Sequence, residues 1–196
     1  MIRRLLLAGL VVLSACSGGM PTGRLQGVVI ENPTPKPSFV LSDTDGNVFD
    51  FAERTAGKMT LLYFGYTFCP DICPVHMAQI SEVFREFPAL ARNAVVVFVT
   101  VDPDRDTNDV LGPYVASFGP QFVALTGTLE ELEVAQKAAG VPVAVISGEG
   151  PTYAVDHSSV VLAYGPDDLH HSTYPFGTRQ SVWANDLRIL GSIGSG

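Results

Sequence analysis

Basic side chains are scarce in this sequence: 12 Lys and Arg stand against 20 Asp and Glu, giving a formal net charge of −8 over 196 residues. Nucleic-acid phosphates and anionic lipid surfaces are bound by patches of Lys and Arg. The charge balance therefore argues against a nucleic-acid-binding protein and against electrostatic docking to a membrane. The hydrophobic fraction of 46% argues against disorder, and the length predicts one domain that buries a core.

Apolar runs of membrane-spanning length are also lacking, and the run at the N-terminus, residues 5–13, is too short to span a bilayer. Two arginines precede it and Ser14-Ala15-Cys16 follows it, which is typical of a signal peptide. Its end resembles a bacterial lipobox, in which Cys16 is lipidated and becomes the first residue of the mature protein. An ordinary secretory signal cut near Ala15 is the alternative. We expect an exported domain, anchored by lipid to a bacterial membrane on its periplasmic or other extracytoplasmic face.

Composition divides the chain into four parts. Residues 1–15 are the predicted signal peptide, and residues 16–36, rich in Gly and Pro, are predicted to form a tether. The globular pattern covers residues 37–190, and the Gly- and Ser-rich residues 191–196 are predicted to be a flexible tail. Such a tether would let an anchored domain reach a partner in the same membrane.

Strand and helix patterns alternate along the globular part. Apolar and β-branched runs predict strands at 39–41, 48–51, 59–64, 94–101, 141–146, 153–155 and 159–163. Helical spacing of apolar residues predicts helices at 74–87, 107–118, 129–139 and 180–190, the third capped by Thr126 or Thr128. The alternation predicts an α/β sandwich with a mixed, mostly parallel sheet flanked by helices.

With Cys16 set aside, cysteine is limited to Cys69 and Cys73, at the junction between a buried strand and a helix N-terminus. Residues four apart on a helical turn share a face, so the two sulfurs can hold one metal ion or, with some distortion, form a disulfide. Free N–H groups and the helix dipole stabilise thiolate at this position. A purely structural disulfide is the weaker interpretation, because closing so short a loop constrains the unfolded chain little.

Three sequence blocks resemble the Sco/SenC family of copper-binding proteins, which have a thioredoxin-like fold. The blocks follow one another in the order and spacing of the family. They are FGYTFCPDICP (Phe64–Pro74), TVDPDRDT (Thr100–Thr107) and VDHSSVVLAYGPD (Val155–Asp167). The resemblance covers residues 37–190, nearly all of the predicted domain.

The resemblance implies a copper site made of Cys69, Cys73 and His157. Two thiolates are soft ligands that favour Cu(I), and an imidazole suits Cu(I) and Cu(II) alike. A site of three ligands, unlike a closed site of four, can receive an ion and pass it on. By resemblance, the protein is a metallochaperone rather than an enzyme. It would take copper from a donor protein and deliver it to the copper-accepting subunit of cytochrome c oxidase, at the binuclear copper centre.

A thiol–disulfide oxidoreductase is the alternative function, in which Cys69 and Cys73 reduce the cysteines of the acceptor's copper site. Redox thioredoxins have two residues between their cysteines, whereas three stand here, and His157 is needed only by a copper site. A peroxidase is less well supported, because the mature chain has no further cysteine to act as a separate resolving residue.

Several aspartates are candidates for supporting roles. Asp71, between the cysteines, is expected at the helix N-terminus, and Asp156 is expected to orient His157. Asp102 and Asp106 follow a strand, at the sheet edge where sites of α/β proteins lie. We interpret both as structural or partner-docking residues rather than as ligands.

The remaining histidines offer a second interpretation of the metal site. His76 shares the helical face of the cysteines and could complete a zinc site with an open position; a solvated helix histidine is the simpler interpretation. His170 and His171 are expected to be exposed at a hairpin end. Tyr66 and Phe68 are expected to wall the site or to pack in the core.

Overall fold

The computed structural model describes residues 23–148, 150 and 152–194. Its strands are β1 (Val28–Pro35), β2 (Val40–Asp43), β3 (Val48–Asp50), β4 (Met59–Gly65), β5 (Ala94–Thr100), β6 (Phe122–Thr126), β7 (Val145–Ser147), β8 (Ala154–Asp156), β9 (Val161–Tyr164) and β10 (Leu169–Tyr174). Its helices are α1 (Phe51–Arg54), α2 (Ile72–Glu86), α3 (Pro88–Ala91), α4 (Asn108–Ala116), α5 (Leu129–Ala138) and α6 (Gln180–Leu190).

Eight of the strands form one sheet in the order β1-β10-β9-β4-β5-β6-β2-β3, and β7 pairs with β8 separately. The central strands β4, β5 and β6 run parallel, and the other neighbouring pairs run antiparallel. Gly65 pairs with Thr100, so the carboxyl ends of β4 and β5 lie side by side. The predicted mixed sheet flanked by helices is confirmed, with its parallel part at the centre.

Successive side chains of β4 alternate between two cores, as the period of two of a strand requires. Leu61 and Tyr63 pack with buried residues of α2, α4 and α6, and Leu62 and Phe64 pack with those of α5 on the other face. Both faces are therefore covered, which explains why β4 and β5 are continuous apolar runs. The alternation also places Tyr63 on the α2 side, where it reaches Cys73.

The four predicted helices are confirmed as α2, α4, α5 and α6, with ends that differ by no more than a turn. Thr128, rather than Thr126, caps α5. Its hydroxyl accepts a hydrogen bond from the Glu131 N–H, and the Glu131 carboxylate accepts one from the Thr128 N–H. This reciprocal pair is a capping box, which explains where the helix begins.

The tether predicted over residues 16–36 extends too far, because Val28–Pro35 forms β1 at an edge of the large sheet. Pro33 and Pro35 suggested an unfolded segment, but an edge strand tolerates proline where the missing N–H would face solvent. The pairing of β1 with β10 also shifts register near these prolines. The domain therefore begins before residue 37. The predicted signal peptide and the lipidation site at Cys16 lie outside the described residues.

The prediction of a flexible tail is wrong for residues 191–194, which form turns directly after α6. The N–H groups of residues 191–193 bond to the last carbonyls of the helix, and Ile193 packs against the core. Residues 195 and 196 lie outside the described part of the chain. Within that part, no helix is both long enough and apolar enough to cross a bilayer.

Two strands near the predicted site are shorter than the apolar runs suggested. The strand predicted at 141–146 is limited to Val145–Ser147, and the one predicted at 159–163 begins at Val161. Residues 157–160 therefore form a loop between β8 and β9. This matters for the site because the loop carries His157.

Candidate metal centre

The turn from β4 into α2 carries both cysteines. β4 ends at Gly65, α2 begins at Ile72, and Cys69 lies between them. The N–H group of Cys73, in the first turn of α2, donates to Cys69 Sγ at 3.4 Å. The sulfur thereby acts as a cap, because the first N–H groups of a helix have no partner within the helix. The pair lies where the sequence analysis placed it, between a buried strand and a helix N-terminus.

Gly65 allows the end of β4 to approach α2 closely. A Cβ at this position would lie 2.9 Å from Cys73 Sγ and 2.8 Å from the Phe98 ring. Such contacts are too short for a side chain, so only glycine fits without a shift of the helix or the ring.

Asp106 ties the cysteine turn to the end of β5. Its carboxylate accepts hydrogen bonds from the N–H and hydroxyl of Thr67, at 3.0 and 2.5 Å, and from the Thr100 hydroxyl at 2.6 Å. Burial raises the pKa of Asp106, and the hydrogen bonds from the threonines oppose that rise. Asp106 therefore holds the turn, and it lies outside the group of candidate ligands.

His157 reaches the cysteines from the loop between β8 and β9. Its Nε2 lies 3.9 Å from Cys73 Sγ, and the ligand atoms of Cys69, Cys73 and His157 all lie within 4.8 Å of one another. Its Nδ1 lies 2.9 Å from the Ser158 carbonyl oxygen, which can only accept. Nδ1 therefore carries the proton in the neutral ring, and the Nε2 lone pair is available to a metal.

The two thiols have different surroundings, and neither is in a disulfide. The hydrogen bond from the Cys73 thiol lowers the pKa of Cys69, and burial opposes that fall. The His157 ring and the N–H groups of Cys73 and Asp71 lower this pKa further. The hydrogen bond from Cys73 to Cys69, together with burial, raises the pKa of Cys73; the Tyr63 hydroxyl, which donates to Cys73 Sγ at 3.2 Å, opposes that rise. The metal-free pair therefore holds one proton, on Cys73, and Cys69 is the thiolate.

Arg105, which the sequence analysis missed, supports the histidine from a partly buried ion pair with the fully buried Asp102. Its Nε donates to Asp102 at 2.5 Å and its Nη1 to the Tyr153 carbonyl at 3.2 Å, and the Tyr153 hydroxyl donates to Asp102. The guanidinium carbon lies 3.8 Å from the Tyr153 ring centroid and 5.7 Å from that of Tyr66. The Tyr66 ring in turn meets the His157 ring edge-on at 5.4 Å. The signal in the sequence is the Asp and Arg three residues apart in TVDPDRDT.

The other aspartates named in the sequence analysis differ in position. Asp102 is fully buried but lies outside the ligand group, in line with a structural role. Asp71 is the N-cap residue of α2, but its exposed side chain makes no capping bond. Asp156 is exposed, and His157 Nδ1 contacts the Ser158 carbonyl instead of the Asp156 carboxylate. The expectation that Asp156 orients the histidine is therefore corrected.

His76 lies apart from the three candidate ligands among the described residues. It is buried rather than solvated, and its Nε2 lies 3.1 Å from the Ser159 carbonyl oxygen. The structure therefore does not assemble the alternative zinc site of two cysteines with this histidine.

Two further expectations are corrected. His170 and His171 lie on β10 and are half-buried, because the strand begins directly after the turn; His171 pairs with Asp167 at 2.9 Å. Tyr66 contacts the ring of His157, whereas Phe68 is 59% exposed and is not a core residue. Phe68 instead covers Arg105, whose guanidinium carbon lies 5.2 Å from the centroid of the Phe68 ring.

Comparison with known proteins gives consistent matches. A family model described as SCO1/SenC matches residues 29–191. A Stutzerimonas stutzeri protein named as a copper-binding protein is 35% identical over 132 residues, which are 67% of this chain and 64% of that protein. An SCO2-like protein of Rickettsia typhi is 30% identical over 151 residues, 76% of this chain and 74% of the relative. The chain thus spans less than two thirds of the length of the first of these relatives.

Among solved structures, Arabidopsis thaliana ScoI with copper bound is similar, with a TM-score of 0.71 and 29% identity. The similarity covers 79% of this chain and 96% of that one. The predicted thioredoxin-like fold is therefore confirmed.

Proposed function

Because this chain belongs to the SCO1/SenC family, we propose that it binds one copper ion through Cys69, Cys73 and His157 and delivers it to the copper-accepting subunit of cytochrome c oxidase. The observation that carries the proposal is the convergence of two sulfurs and one imidazole nitrogen within 4.8 Å of one another. Two similar proteins support it: the S. stutzeri relative is named for copper binding, and the Arabidopsis structure contains copper. Copper is here the cargo of the protein.

The donor set fits copper in both oxidation states. Thiolates favour Cu(I), and the imidazole of His157 also suits Cu(II). The Nε2 of this ring is free of its proton, because Nδ1 donates to the Ser158 carbonyl. Three donors leave a coordination position for a ligand of a donor or acceptor protein, which is what transfer of the ion requires.

Uptake and release follow from the difference between the two thiols. Cys69 is the thiolate and is 8% exposed, whereas Cys73 carries the proton and is fully buried. The ion meets Cys69 first and then displaces the proton from Cys73. Release is the reverse exchange, in which thiolates of the acceptor replace those of this chain one at a time.

Copper titration of the chain with reduced thiols tests the site. We expect one equivalent of Cu(II) to bind with a thiolate-to-copper charge-transfer band that is lost in Cys69→Ala and His157→Ala. His171→Ala is a matched control, because β10 places this histidine near the opposite end of β4. Normal binding in His157→Ala combined with loss in His76→Ala would show that the ligands are assigned wrongly.

Delivery is tested by mixing the copper-loaded chain with the soluble copper-binding domain of the oxidase subunit. We expect the absorption band of this chain to fall as the spectrum of the acceptor centre appears. Retention of copper by this chain at equilibrium with a reduced acceptor would contradict delivery. The result would indicate that the chain stores copper instead.

A thiol–disulfide oxidoreductase is a second candidate, favoured by the lowered pKa of Cys69. The Cys69 thiolate would attack an acceptor disulfide, forming a mixed disulfide and releasing one acceptor thiol. Cys73, after losing its proton, would attack Cys69 Sγ, forming the intramolecular disulfide and releasing the second acceptor thiol. The two electrons thus pass from this chain to the acceptor. Stoichiometric reduction of an oxidised acceptor by the copper-free chain, abolished in Cys73→Ser, would support it.

We also propose that a lipid on Cys16 anchors the protein to a bacterial membrane, with the domain on the extracytoplasmic face. The support is the lipobox-like Leu13-Ser14-Ala15-Cys16 after a short apolar segment. Cys16→Ser should move the protein from the membrane fraction to the soluble fraction of its host. Membrane retention of that variant would contradict the lipid anchor.

A further inference from the structure

His76 joins the two parts of the chain that supply the candidate ligands. It lies on α2 one turn after Cys73, and its Nε2 is 3.1 Å from the carbonyl oxygen of Ser159. Ser159 lies in the loop 157–160, which carries His157. The side chain of His76 is buried and lies outside the ligand group, so metal binding does not account for it.

The contact with Ser159 establishes which nitrogen of His76 carries the proton. A carbonyl oxygen can only accept, so Nε2 donates. Within the described residues, Nδ1 is buried without a hydrogen-bond partner, and a proton there would be an unpaired buried donor. Burial also lowers the pKa of His76. The ring is therefore neutral, with a single N–H group aimed at the loop.

Three aromatic rings fix the direction of that N–H group. The His76 ring meets Tyr63, Trp183 and Phe176 edge-on, with centroid distances of 5.4, 5.9 and 6.0 Å. Tyr63 and Trp183 are fully buried. Close packing of this kind restricts the rotamer of the imidazole, so the donor is held in place before any ligand arrives.

The loop is held partly by packing, since Val160 lies against the core and the His157 ring meets the rings of Tyr63 and Tyr66. Residues 157–160 belong to no strand, and the bond from His157 Nδ1 to Ser158 is internal to the loop. That bond orients the ring of His157 relative to the loop, but it does not position the loop relative to the cysteines. The pairing of β9 with β4 brings the loop to this edge of the sheet, and the bond from His76 ties it directly to the helix that carries Cys73.

We propose that His76 is a positioning residue, whose Nε2–H bond to the Ser159 carbonyl holds loop 157–160 so that His157 faces Cys73. The inference rests on the proposed copper site for its functional consequence. Its structural part, the position of the loop, is independent of copper.

The structural part is tested on the full chain without copper, by NMR relaxation of the backbone amides of residues 157–160. His76→Leu keeps apolar bulk and removes the donor, whereas the amide N–H of His76→Gln can still reach the carbonyl. We expect order parameters in the loop to fall from about 0.85 to below about 0.6 in the Leu variant and to stay high in the Gln variant. An equally rigid loop in His76→Leu would overturn the proposal.

The functional part is tested by a double-mutant cycle on Cu(I) affinity, which the two thiolates keep measurable after His157→Ala. His76→Leu should weaken binding roughly 10-fold, as for loss of a group that orients a ligand, but should cause no further loss in a His157→Ala background. An equal additional loss in that background would show that His76 acts without His157 and would overturn the proposal. His171→Leu, on β10, is the control and should leave affinity unchanged.

The two proposals fail in different ways. A wild-type chain that binds no copper contradicts the proposed function, while the relaxation measurement still decides whether His76 positions the loop. A copper-binding chain with the same loop dynamics in wild type and His76→Leu retains the proposed function and refutes the positioning role.

Discussion

The cysteine side and the histidine side of the candidate site are held in different ways. The cysteine side, formed by β4, the following turn and the start of α2, consists of consecutive residues. It is fixed by short-range contacts, among them the bond from the Cys73 N–H to Cys69 Sγ and the close approach at Gly65. Asp106 adds one longer-range tie, through Thr67.

The histidine side, formed by β8 and loop 157–160, depends on side chains from other elements. Arg105 and Asp102 hold Tyr153, directly before β8, and His76 contacts the Ser159 carbonyl within the loop. The comparison indicates that changes on the cysteine side alter the chemistry of the site. Changes on the histidine side alter the position of the third candidate ligand, His157.

Replacing a ligand on each side has the largest expected effect. Cys73→Ser should weaken both Cu(I) and Cu(II) binding by more than about 100-fold, beyond the usual effect of removing a group that orients a ligand, because a hydroxyl is a hard ligand. His157→Ala should abolish tight Cu(II) binding but cost less Cu(I) affinity, since both thiolates remain. Titrations against chelators selective for each oxidation state measure this. Equal losses of Cu(I) affinity in the two variants would contradict the distinction between the cysteine side and the histidine side.

Asp102→Asn tests the support of the histidine side and should destabilise the copper-free protein by about 2–3 kcal/mol in urea unfolding. Asp102 is fully buried, so the change leaves Arg105, whose side chain is 15% exposed, without its counter-charge. The matched control is Glu133→Gln, which breaks an exposed pair with Lys137 and should cost less than about 0.5 kcal/mol.

The same Asp102→Asn variant should lose Cu(II) affinity by a larger factor than the alkylation rate of Cys69 changes. Asp102 and Arg105 bond directly to Tyr153, whereas they reach the cysteine turn only through the packing of Arg105 on the rings of Tyr66 and Phe68. A change in Cys69 reactivity without a change in Cu(II) affinity would reverse the assignment of Asp102 to the histidine side.

Tyr63→Phe tests the cysteine side and should cost about 1 kcal/mol of stability, the usual effect of one lost hydrogen bond. The lost bond is that from the Tyr63 hydroxyl to Cys73 Sγ at 3.2 Å, which opposes the raised pKa of Cys73. Its loss should therefore make copper displace the Cys73 proton less readily, seen as a slightly weaker apparent affinity at neutral pH. Tyr164→Phe, near the start of β4, is the control and should leave copper affinity at the wild-type value.

The pH dependence of Cys69 alkylation is the smallest expected effect. Because the pKa of Cys69 is lowered, its thiolate persists below the range of a free thiol, whose pKa is about 8.5. Reactivity is lost only as the pH falls through the pKa of the folded state. Cys73→Ala removes the hydrogen-bond donor and should move the midpoint of the rate profile upward. A midpoint in the wild type at the value of a free thiol would contradict the proton arrangement of the pair.

The local pattern of apolar residues was sufficient to predict most helices and strands. It failed where pairing between distant strands determines the structure. The helices follow from apolar spacing and capping, which act within a few residues, and α6 has the predicted ends. β1 was missed because prolines suggest a coil, and only its position at the sheet edge makes them tolerable. Arg105 was missed because its three aromatic neighbours come from two segments distant from it in the sequence, the turn after β4 and the residue before β8.

The sequence by itself determined that Cys69 and Cys73 share a helix N-terminus, because four residues of spacing bring them together in any fold that keeps the helix. It left the nitrogen ligand open between His76 and His157, and the family resemblance favoured the second. The tertiary structure decided which of the two histidines lies beside both cysteines, and it did so through the sheet. β9 runs antiparallel to β4, with Val161 opposite Tyr63, so the loop before β9 lies at the carboxyl end of β4. That pairing brings His157 close to Cys73, although the two are 84 residues apart in the sequence. It also brings the loop within hydrogen-bond distance of His76.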